Sequence, residues 1–327
     1  MSRKEQVKKL VYILLILILV LLIILSGLRI LESTVFSRGQ VQVEERTSLT
    51  IERNGIEYFP RQDITVMLLM GIDEYGPVTE SDTHKNTGEV DMVALVIFDE
   101  TNEQIDLLCL NRDTMLEMPV LGIGGKNAGT FYGQLALSHT YGTGLEDSCE
   151  NTKKAVSDFL YGLEISHYVA MNMDAIALLN DAVGGVQVNV VDDFSGVDPT
   201  IQKGEMTLMG QQAINYVQVR KDVGDQKNIS RMNRQKEYME GFLKSFRQAN
   251  NEESFIIDTY DSVSDYMVTD FTTKSISATM NQYSEYTLDE VITPEGENKL
   301  QGQYYAFYAD EEKLDALILR LFYAPKK

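Results

Sequence analysis

Four clusters of polar side chains in this 327-residue chain have types and spacing suited to phosphate chemistry. The first three clusters adjoin apolar runs, and the fourth spans more residues than the others. In chain order the clusters are Gly71-Ile-Asp73, Asp91, Asn111-Arg-Asp-Thr114, and Tyr216–Asp222 with Arg231–Gln235. Carboxylates hold divalent cations, and guanidinium groups make paired hydrogen bonds to phosphate oxygens. The clusters therefore contain the parts needed for phosphoryl transfer, in which positioning and charge neutralisation provide most of the catalysis.

The first and third clusters are predicted to meet at one edge of a sheet. Open α/β sheets place ligand sites beyond the carboxyl ends of their strands, so Asp73 and Arg112 are predicted to share a cleft. Asp91 begins its apolar run, and it reaches the same edge only if its strand is antiparallel to the other two. Two aspartates facing one cleft are the usual oxygen ligands of Mg²⁺, whose shell is completed by waters and a substrate phosphate.

The last cluster is predicted to lie on a helix. Arg231 and Gln235 are four residues apart and share one helix face, whereas Arg234 lies one residue off that line, turned partly away. Taken singly, each cluster has a simpler explanation, because an Arg–Asp pair is more often structural than catalytic and a strand-end aspartate can cap a helix. The hypothesis of a phosphate site rests on the clusters occurring together.

Hydrophobic patterning predicts the elements that position these clusters. Continuous apolar runs predict buried strands at 64–70, 92–98 and 105–110, and the second and third of these strands are predicted to form a hairpin. Shorter strand-like runs lie at 168–171, 186–191 and 304–308. Helical spacing predicts helices at 131–141, 149–160, 173–183, 211–219, 231–246, 273–283 and 312–322. Alternation of helix and strand predicts an α/β sandwich.

The N-terminus predicts a membrane anchor. A basic segment precedes an apolar stretch whose 19 residues approach the length needed to cross a bilayer as a helix. A cleaved signal peptide is the alternative, but its apolar core is shorter and ends at small residues. We expect a cytoplasmic tail at 1–9, a transmembrane signal anchor at 10–28, an extracellular stalk or short helix at 29–62 and one extracellular domain at 63–327.

Charge supports this orientation and limits the function. The chain has a net charge of −20, of which the first 29 residues contribute +4, leaving −24 on the predicted extracellular part. Basic flanks stay in the cytoplasm, so we expect a single-pass protein of the cell membrane with its N-terminus inside. An acidic chain is not a general nucleic-acid binder, which needs a basic face. Cys109 and Cys149 are too few for a disulfide framework and are predicted to be thiols.

Other catalytic motifs fail on their spacing. Gly122-Ile-Gly-Gly-Lys-Asn127 lacks the first glycine and the final Ser or Thr of a P-loop, so it is predicted to be a surface loop. His84, His139 and His167 are far apart and show no zinc-hydrolase pattern. These observations leave the carboxylate and arginine clusters as the candidates for chemistry.

The order of the clusters resembles the LytR–CpsA–Psr family of bacterial cell-envelope proteins. The similar segments are Leu68–Asp73, Val90–Leu95, Asn111–Thr114, Asp181–Val188, Leu208–Ala213, Tyr216–Asp222 and Arg231–Gln235. The resemblance implies a three-layer α/β/α sandwich with a central mixed sheet and a hydrophobic cavity for a polyprenyl chain. It also implies a Mg²⁺- or Mn²⁺-dependent phosphotransferase that moves anionic glycopolymers, of teichoic acid or capsular polysaccharide type, from a polyprenyl pyrophosphate carrier onto peptidoglycan.

The resemblance assigns roles by position. Asp73 and Asp91 match the family's cation-binding aspartates, and Asp73 is the residue that we expect to accept the proton of an attacking sugar hydroxyl. The candidates for binding pyrophosphate are Arg112, Arg220, Arg231, Arg234 and Gln235. Of these, Arg112 and Arg220 are also predicted to take part in catalysis by stabilising the leaving phosphate.

Three departures from the family pattern favour a second hypothesis. Glu89, Gln218 and Gln134 stand where the family usually has arginine, arginine and lysine. The first two changes alone alter the charge facing an anionic substrate by about three units, and each charged contact is worth about 1.5–3 kcal/mol. The alternative function is therefore a non-catalytic sensor or scaffold that binds polyprenyl phosphates or wall polymers.

Overall fold

The computed structural model describes residues 50–219, 221–224, 228–249 and 254–326. The predicted cytoplasmic tail and membrane anchor, most of the predicted stalk and Arg220 lie outside these residues. Within them, no helix combines the length and the apolar character that crossing a membrane requires.

Short strands and medium-length helices alternate along the described chain. The strands are β1 Ile51–Arg53, β2 Ile56–Pro60, β3 Ile64–Ile72, β4 Val90–Asp99, β5 Gln104–Leu110, β6 Met115–Leu121, β7 Asn127–Gln134, β8 His167–Asn172, β9 Val186–Val190, β10 Gly204–Leu208, β11 Met267–Thr269, β12 Thr287–Ile292, β13 Gly296–Gln301, β14 Tyr304–Ala309 and β15 Tyr323–Pro325. The α-helices are α1 Glu146–Phe159, α2 Met173–Ala182, α3 Gln211–Gln218, α4 Asn228–Ala249, α5 Phe255–Val263, α6 Thr273–Gln282 and α7 Glu311–Phe322, and 3₁₀ turns lie at Leu135–Thr140 and Ser264–Tyr266.

Residues 62–322 form one compact unit around a six-stranded mixed sheet. The strand order is β11-β8-β3-β4-β5-β12, with β4 antiparallel to both β3 and β5 and with β8 parallel to β3. The ends of β3 and β5 and the start of β4 therefore lie at the same edge of the sheet. The predicted α/β fold with a central mixed sheet is confirmed.

The central strands are apolar because both of their faces are covered. In β3, Leu68 and Met70 are fully buried on one face, and Met67 and Leu69 lie on the other. On the first face, α1 packs close to β8, with the ammonium of Lys153 lying 5.4 Å from the ring centre of Tyr168. The second face carries apolar side chains from α4, α5 and α6.

Residues 131–141, predicted to be helical, form a different structure. Strand β7 continues to Gln134, and a 3₁₀ turn then covers Leu135–Thr140. Helical spacing of Phe131 and Leu135 is coincidental here, because the preceding Gly129-Thr-Phe-Tyr-Gly133 favours an extended chain paired with β6. The predicted surface loop at 122–127 is the turn between these two strands.

The second compact unit comprises the described residues 50–61 and 323–326. Strands β1, β2 and β15 form an antiparallel sheet there, so this end of the predicted stalk is extended rather than helical. Asn54 and Gly55 both have positive φ, 55° and 76°, and join β1 to β2. An Asn-Gly pair between short alternating segments is a strong hairpin signal, which the analysis of the apolar runs missed.

Candidate active site

The edge shared by β3, β4 and β5 brings three of the predicted clusters together. The backbone N–H of Asp73, just past β3, donates to the carbonyl of Glu89, just before β4, at 2.9 Å. Arg112 follows β5, which is paired with β4 throughout. The antiparallel arrangement that Asp91 needs to reach this edge is therefore present.

Asp91 lies between two arginines. One of its carboxylate oxygens contacts Nη1 of Arg112, and the other accepts a hydrogen bond from Nη1 of Arg231 at 3.1 Å. The Asp91 and Arg231 side chains are only 10% and 7% exposed, so this ion pair lies mostly out of water. Helix α4 and the central sheet thus contribute to one charged cluster.

Arg112 is surrounded by carboxylates. Besides Asp91 it binds the carboxylate of Glu89, and its Nε lies 3.9 Å from Oδ1 of Asp113. Glu89, where the family resemblance expects an arginine, therefore faces the site and engages the guanidinium directly. Its side chain is 42% exposed, which places this contact on the solvent side of the cluster.

Gln218 and Gln134 occupy different parts of this region. The amide nitrogen of Gln218 donates to Oδ1 of Asp73 at 3.0 Å, and its carbonyl oxygen accepts from the hydroxyl of Tyr75 at 2.7 Å. Gln134 donates to Oδ1 of Asp113 at 3.1 Å and touches no other predicted site residue that the structure describes. Gln218 is thus a direct neighbour of the predicted base, and Gln134 is one step further away.

Arg234 and Gln235 support the segment after α3. Arg234 is 3% exposed, and its guanidinium donates to the carbonyls of Tyr216 (2.9 Å) and Val219 and to Asp192 at 2.6 Å. Gln235 donates to the carbonyl of Val217 at 3.1 Å. Phosphate binding by Arg234 stays a prediction, but the contacts seen here hold the chain that leads to residue 220.

An apolar cavity of about 330 Å³ lies against the sheet face beneath α4, α5 and α6. Its walls include Met171, Tyr238 and Phe271, and Asp91, Gln218 and Gln235 lie at its polar end. A smaller pocket beside it is lined by Arg112 and Arg231 as well as by Asp91 and Gln235. A deep apolar cavity adjoining a charged cluster suits a ligand with a long hydrocarbon chain and an anionic head.

Cys109 in β5 also lines the smaller pocket, but it is a poor nucleophile. Burial raises the pKa of its thiol to about 11, although the positive charge of Lys236 acts in the opposite direction. With this raised pKa the thiol of Cys109 stays protonated at neutral pH. Because the thiolate is the reactive form, Cys109 is a weak nucleophile. Both Cys109 and Cys149 are free thiols.

The sequence analysis missed two side chains of this region. Tyr75 orients Gln218, and Asp113 connects Arg112 to Gln134. Asp113 belongs to the Asn111-Arg-Asp-Thr114 cluster. Tyr75 lies in a polar loop whose sequence shows no pattern that predicts a functional role. Asn172 and Asp174 hold that loop, by hydrogen bonds to the carbonyl and N–H of Gly76 at 2.9 and 2.6 Å.

Comparison with known proteins identifies relatives of this chain. A TagU of Enterococcus faecalis, named a polyisoprenyl-teichoic acid–peptidoglycan teichoic acid transferase, is 31% identical over 62% of this chain and 60% of its own. A TagU of Bacillus licheniformis with the same name is 24% identical over 85% of this chain and 84% of its own. The chain spans 53 to 60% of the length of three such relatives.

Solved structures share the fold. The crystal structure of Bacillus subtilis TagV has a TM-score of 0.62 at 24% identity, covering 80% of this chain and 96% of that one. A structure described as TagT bound to LI-WTA has a TM-score of 0.61 at 21% identity, covering 80% and 90%. A model of the LytR_cpsA_psr family matches residues 32–321. The chain therefore belongs to the LytR_cpsA_psr family.

Proposed function

We propose that this protein is a phosphotransferase that attaches a glycopolymer, carried on polyprenyl pyrophosphate, to peptidoglycan. The observation that carries the proposal is the apolar cavity whose polar end meets the cluster of Asp91, Arg112 and Arg231. An apolar cavity next to a charged cluster suits a substrate that has both a polyprenyl chain and a pyrophosphate group. The names of the TagU relatives support the same substrate class.

The side chains divide into roles that this reaction needs. Arg112 and Arg231 bind and neutralise the pyrophosphate. The acceptor oxygen forms a bond to the phosphorus that carries the sugar polymer, the bond from this phosphorus to the bridging oxygen breaks, and negative charge builds on the leaving polyprenyl phosphate. Arg220, which follows Val219 in the sequence, adds a third cation. Asp73 accepts the proton of the attacking acceptor hydroxyl, and Gln218 holds its carboxylate in place.

The donor set suits Mg²⁺ or Mn²⁺ bound together with substrate. Asp73 and Asp91 lie on adjacent strands at one edge, and among the described residues no group of three or more His, Cys, Asp or Glu side chains is arranged to hold a metal. Mg²⁺ is commonly held by one or two carboxylates plus substrate phosphates, which matches two aspartates. The ion would supply further neutralisation of phosphate charge.

The proposed location is the outer face of the cell membrane. The apolar stretch 10–28 with its basic flank favours a single-pass anchor whose N-terminus is cytoplasmic. This location would place the domain where the lipid carrier and peptidoglycan are both within reach. Fusing a reporter that is active only outside the cell to the C-terminus tests it, and a signal only from a cytoplasmic reporter contradicts it.

A transfer assay tests the function directly. The full-length protein is incubated with Mg²⁺, a polyprenyl-pyrophosphate oligosaccharide and peptidoglycan, and the release of polyprenyl phosphate and the labelling of peptidoglycan are measured. We expect transfer that Asp73→Asn reduces by about 10²-fold or more, as removal of a general base does. Glu205→Gln, which alters an exposed carboxylate on β10, is the control. Absence of transfer by folded protein would contradict the proposal.

The contacts of Glu89 favour one second candidate, a non-catalytic binding protein of the same fold. With Glu89 and Asp91 both on Arg112, the guanidinium is already neutralised without a phosphate. This function predicts lipid binding that does not require Mg²⁺ and that survives Asp73→Ala. Loss of lipid binding in Asp73→Ala, measured against a folded control, would exclude it.

A further inference from the structure

Each of two hairpins outside the candidate active site presents an exposed tyrosine. Tyr132 on β7 and Tyr304 on β14 are 53% and 49% exposed. The hairpins are joined by backbone and side-chain hydrogen bonds: Phe307 N–H to the Asp113 carbonyl at 2.8 Å, and Gln134 to the Tyr305 carbonyl at 2.8 Å. The second hairpin is therefore attached to the first and to the residues that precede it.

Hydrogen bonds fix the rings on this surface. Tyr304 and Tyr308 are four residues apart on one strand face, about 13 Å along the strand. The side-chain amide of Gln301 links them, accepting from the Tyr304 hydroxyl at 3.2 Å and donating to that of Tyr308. On the other hairpin, the pKa of Tyr132 is raised by burial first and by Tyr308 second. We call Tyr132, Gln301, Tyr304 and Tyr308 the tyrosine face.

The chemistry of this face matches a sugar chain. Half-exposed phenol rings offer flat apolar surfaces with polar edges, and amide groups between them offer hydrogen bonds. A sugar ring has the complementary arrangement, an apolar face of C–H groups bordered by hydroxyls. The spacing of Tyr304 and Tyr308 suits a polymer that contacts more than one ring of the protein.

Charge on the face disfavours anionic ligands. Glu117 lies opposite Tyr132, and Glu297 lies opposite Tyr308, so each pair shares a face of its hairpin. Lys299, whose ammonium is 5.2 Å from the Tyr308 ring centre, is a single positive charge near these two carboxylates. An anionic lipid surface or a polyanionic polymer would be repelled, whereas an uncharged glycan would not.

The tyrosine face is continuous with the candidate active site. Gln134 lies two residues after Tyr132, on the same side of β7, and donates to Oδ1 of Asp113 at 3.1 Å. Asp113 in turn lies beside the guanidinium of Arg112. A glycan lying along the face would thus lead towards the phosphate-binding arginines.

We propose that the tyrosine face binds the sugar chain of the peptidoglycan acceptor. The assignment of this sugar chain as the acceptor rests on the proposed function. The binding of an uncharged glycan to the tyrosine face does not. The face would hold the acceptor chain so that one of its hydroxyls lies near Asp73 and the arginines. Sugar binding here requires neither the lipid carrier nor a metal ion.

The absence of tryptophan from the chain allows a specific test. The Tyr304→Trp variant of the full-length protein, in detergent micelles, carries a single indole on the face. Tyr305→Trp is the matched control, since the neighbouring residue of a strand points to the opposite face. Soluble oligomers of N-acetylglucosamine, which carry no charge, are titrated in while tryptophan fluorescence is recorded. A saturable change in Tyr304→Trp and none in Tyr305→Trp is expected.

Three outcomes would overturn the inference: no change at position 304, equal changes at both positions, or a change produced only by purified teichoic acid or phosphatidylglycerol vesicles. The double variant Tyr132→Ala/Tyr304→Ala adds a second readout. It is expected to bind insoluble peptidoglycan about tenfold more weakly than wild type, since exposed aromatic anchors often dominate binding. Tyr305→Ala is expected to bind normally, and equal losses in both variants would count against the face.

The design separates the inference from the proposed function. Glycan binding is measured without donor or Mg²⁺, so binding without any transfer activity would remove the proposed function and keep the tyrosine face. If the protein catalyses transfer but the fluorescence of Tyr304→Trp does not respond to glycan, the proposed function stands and the inference about the tyrosine face is wrong.

Discussion

The contacts of Arg112 show that anion binding in this protein requires an exchange of partners. Glu89 and Asp91 both contact its guanidinium, and Asp113 lies nearby. A pyrophosphate must therefore displace at least one carboxylate, and the half-exposed Glu89 is the easier one to displace. The buried pair of Asp91 and Arg231 is costly to break, because separation leaves a charge without compensation out of water.

This exchange predicts that Glu89→Gln strengthens donor binding. Removing the negative charge frees Arg112 for phosphate while keeping the shape of the side chain, and a charge-assisted hydrogen bond gained is worth about tenfold or more in affinity. The measurement is the Kd for a short-chain polyprenyl pyrophosphate, determined by calorimetry. Glu117→Gln makes the same change at an exposed position on β6 and is expected to leave the Kd unaltered. Weaker binding by Glu89→Gln would show that Glu89 helps to hold the substrate.

At the scale of elements, one side chain fastens the loop between β3 and β4. Oδ1 of Asn86 accepts from the Gly88 N–H at 2.7 Å, and its amide nitrogen donates to the carbonyls of His139 and Gly142 at 2.9 and 3.0 Å. This loop ends at Glu89 and Asp91. The placement of two site residues therefore depends on Asn86.

Replacing Asn86 is predicted to destabilise both the fold and the site. Asn86→Ala leaves partly buried backbone groups without partners, at a cost of about 1–3 kcal/mol. Urea unfolding followed by circular dichroism measures the loss. Asn298→Ala, at an exposed position on β13, is the comparison variant, and a similar loss in both variants would deny Asn86 this special role.

The cavity behind α4 and α6 predicts a dependence on lipid length. Ile276 on α6 lines the cavity together with Phe98 and Tyr283, which lie towards the sheet edge opposite Asp91. Ile276→Trp would shorten the space available and weaken binding of a long polyprenyl phosphate by about tenfold, an overpacking cost of the usual size.

A short-chain analogue serves as the internal control for Ile276→Trp. It would occupy only the polar end of the cavity, so its Kd is expected to stay within about twofold of wild type, well under the tenfold step of 1.4 kcal/mol. Equal weakening for long and short chains would mean that the substitution disturbs the fold instead of the cavity.

Buried elements were predictable from the sequence, and exposed ones were not. Strand β3 is apolar throughout because both of its faces are covered, so its run of hydrophobic residues marks it clearly. Strand β12 reads Thr-Leu-Asp-Glu-Val-Ile at the edge of the same sheet, and most of its positions remain exposed or partly exposed. Its pairing with β5 is a long-range contact that no local pattern reports.

The same distinction applies to the site. That Asp73, Asp91 and Arg112 share an edge followed from apolar runs and strand direction, but the contact of Glu89 with Arg112 depends on the register of three strands. The link from Gln134 to Asp113 depends on strand β7, which the helical pattern concealed. Sequence thus indicated which residues meet, and packing determined what each one binds.

At the scale of the whole molecule, acid stability is predicted to depend on His139. Its ring is 3% exposed, with Nδ1 3.0 Å from the Gly88 carbonyl and Nε2 3.9 Å from the sulfur of Cys149. Burial lowers the pKa of His139 below its ordinary value of 6.5, although the Gly88 carbonyl and Asp147 oppose the shift. The folded chain therefore holds the neutral imidazole.

The sign of the pH effect follows from proton uptake. As the pH falls below 6.5, the unfolded chain binds a proton at His139 that the folded chain does not. The free energy of unfolding consequently decreases with falling pH, by up to about 1.4 kcal/mol per pH unit for this one group until the folded-state pKa is reached. Denaturant unfolding between pH 7.5 and 5 measures the decrease.

His139→Gln separates this effect from the titration of the other groups in an acidic chain. Glutamine is polar and close in size but has no charge to gain, so the variant is less stable at pH 7.5 and loses less stability than wild type down to pH 5. Parallel curves for His139→Gln and wild type would place the acid sensitivity elsewhere in the molecule.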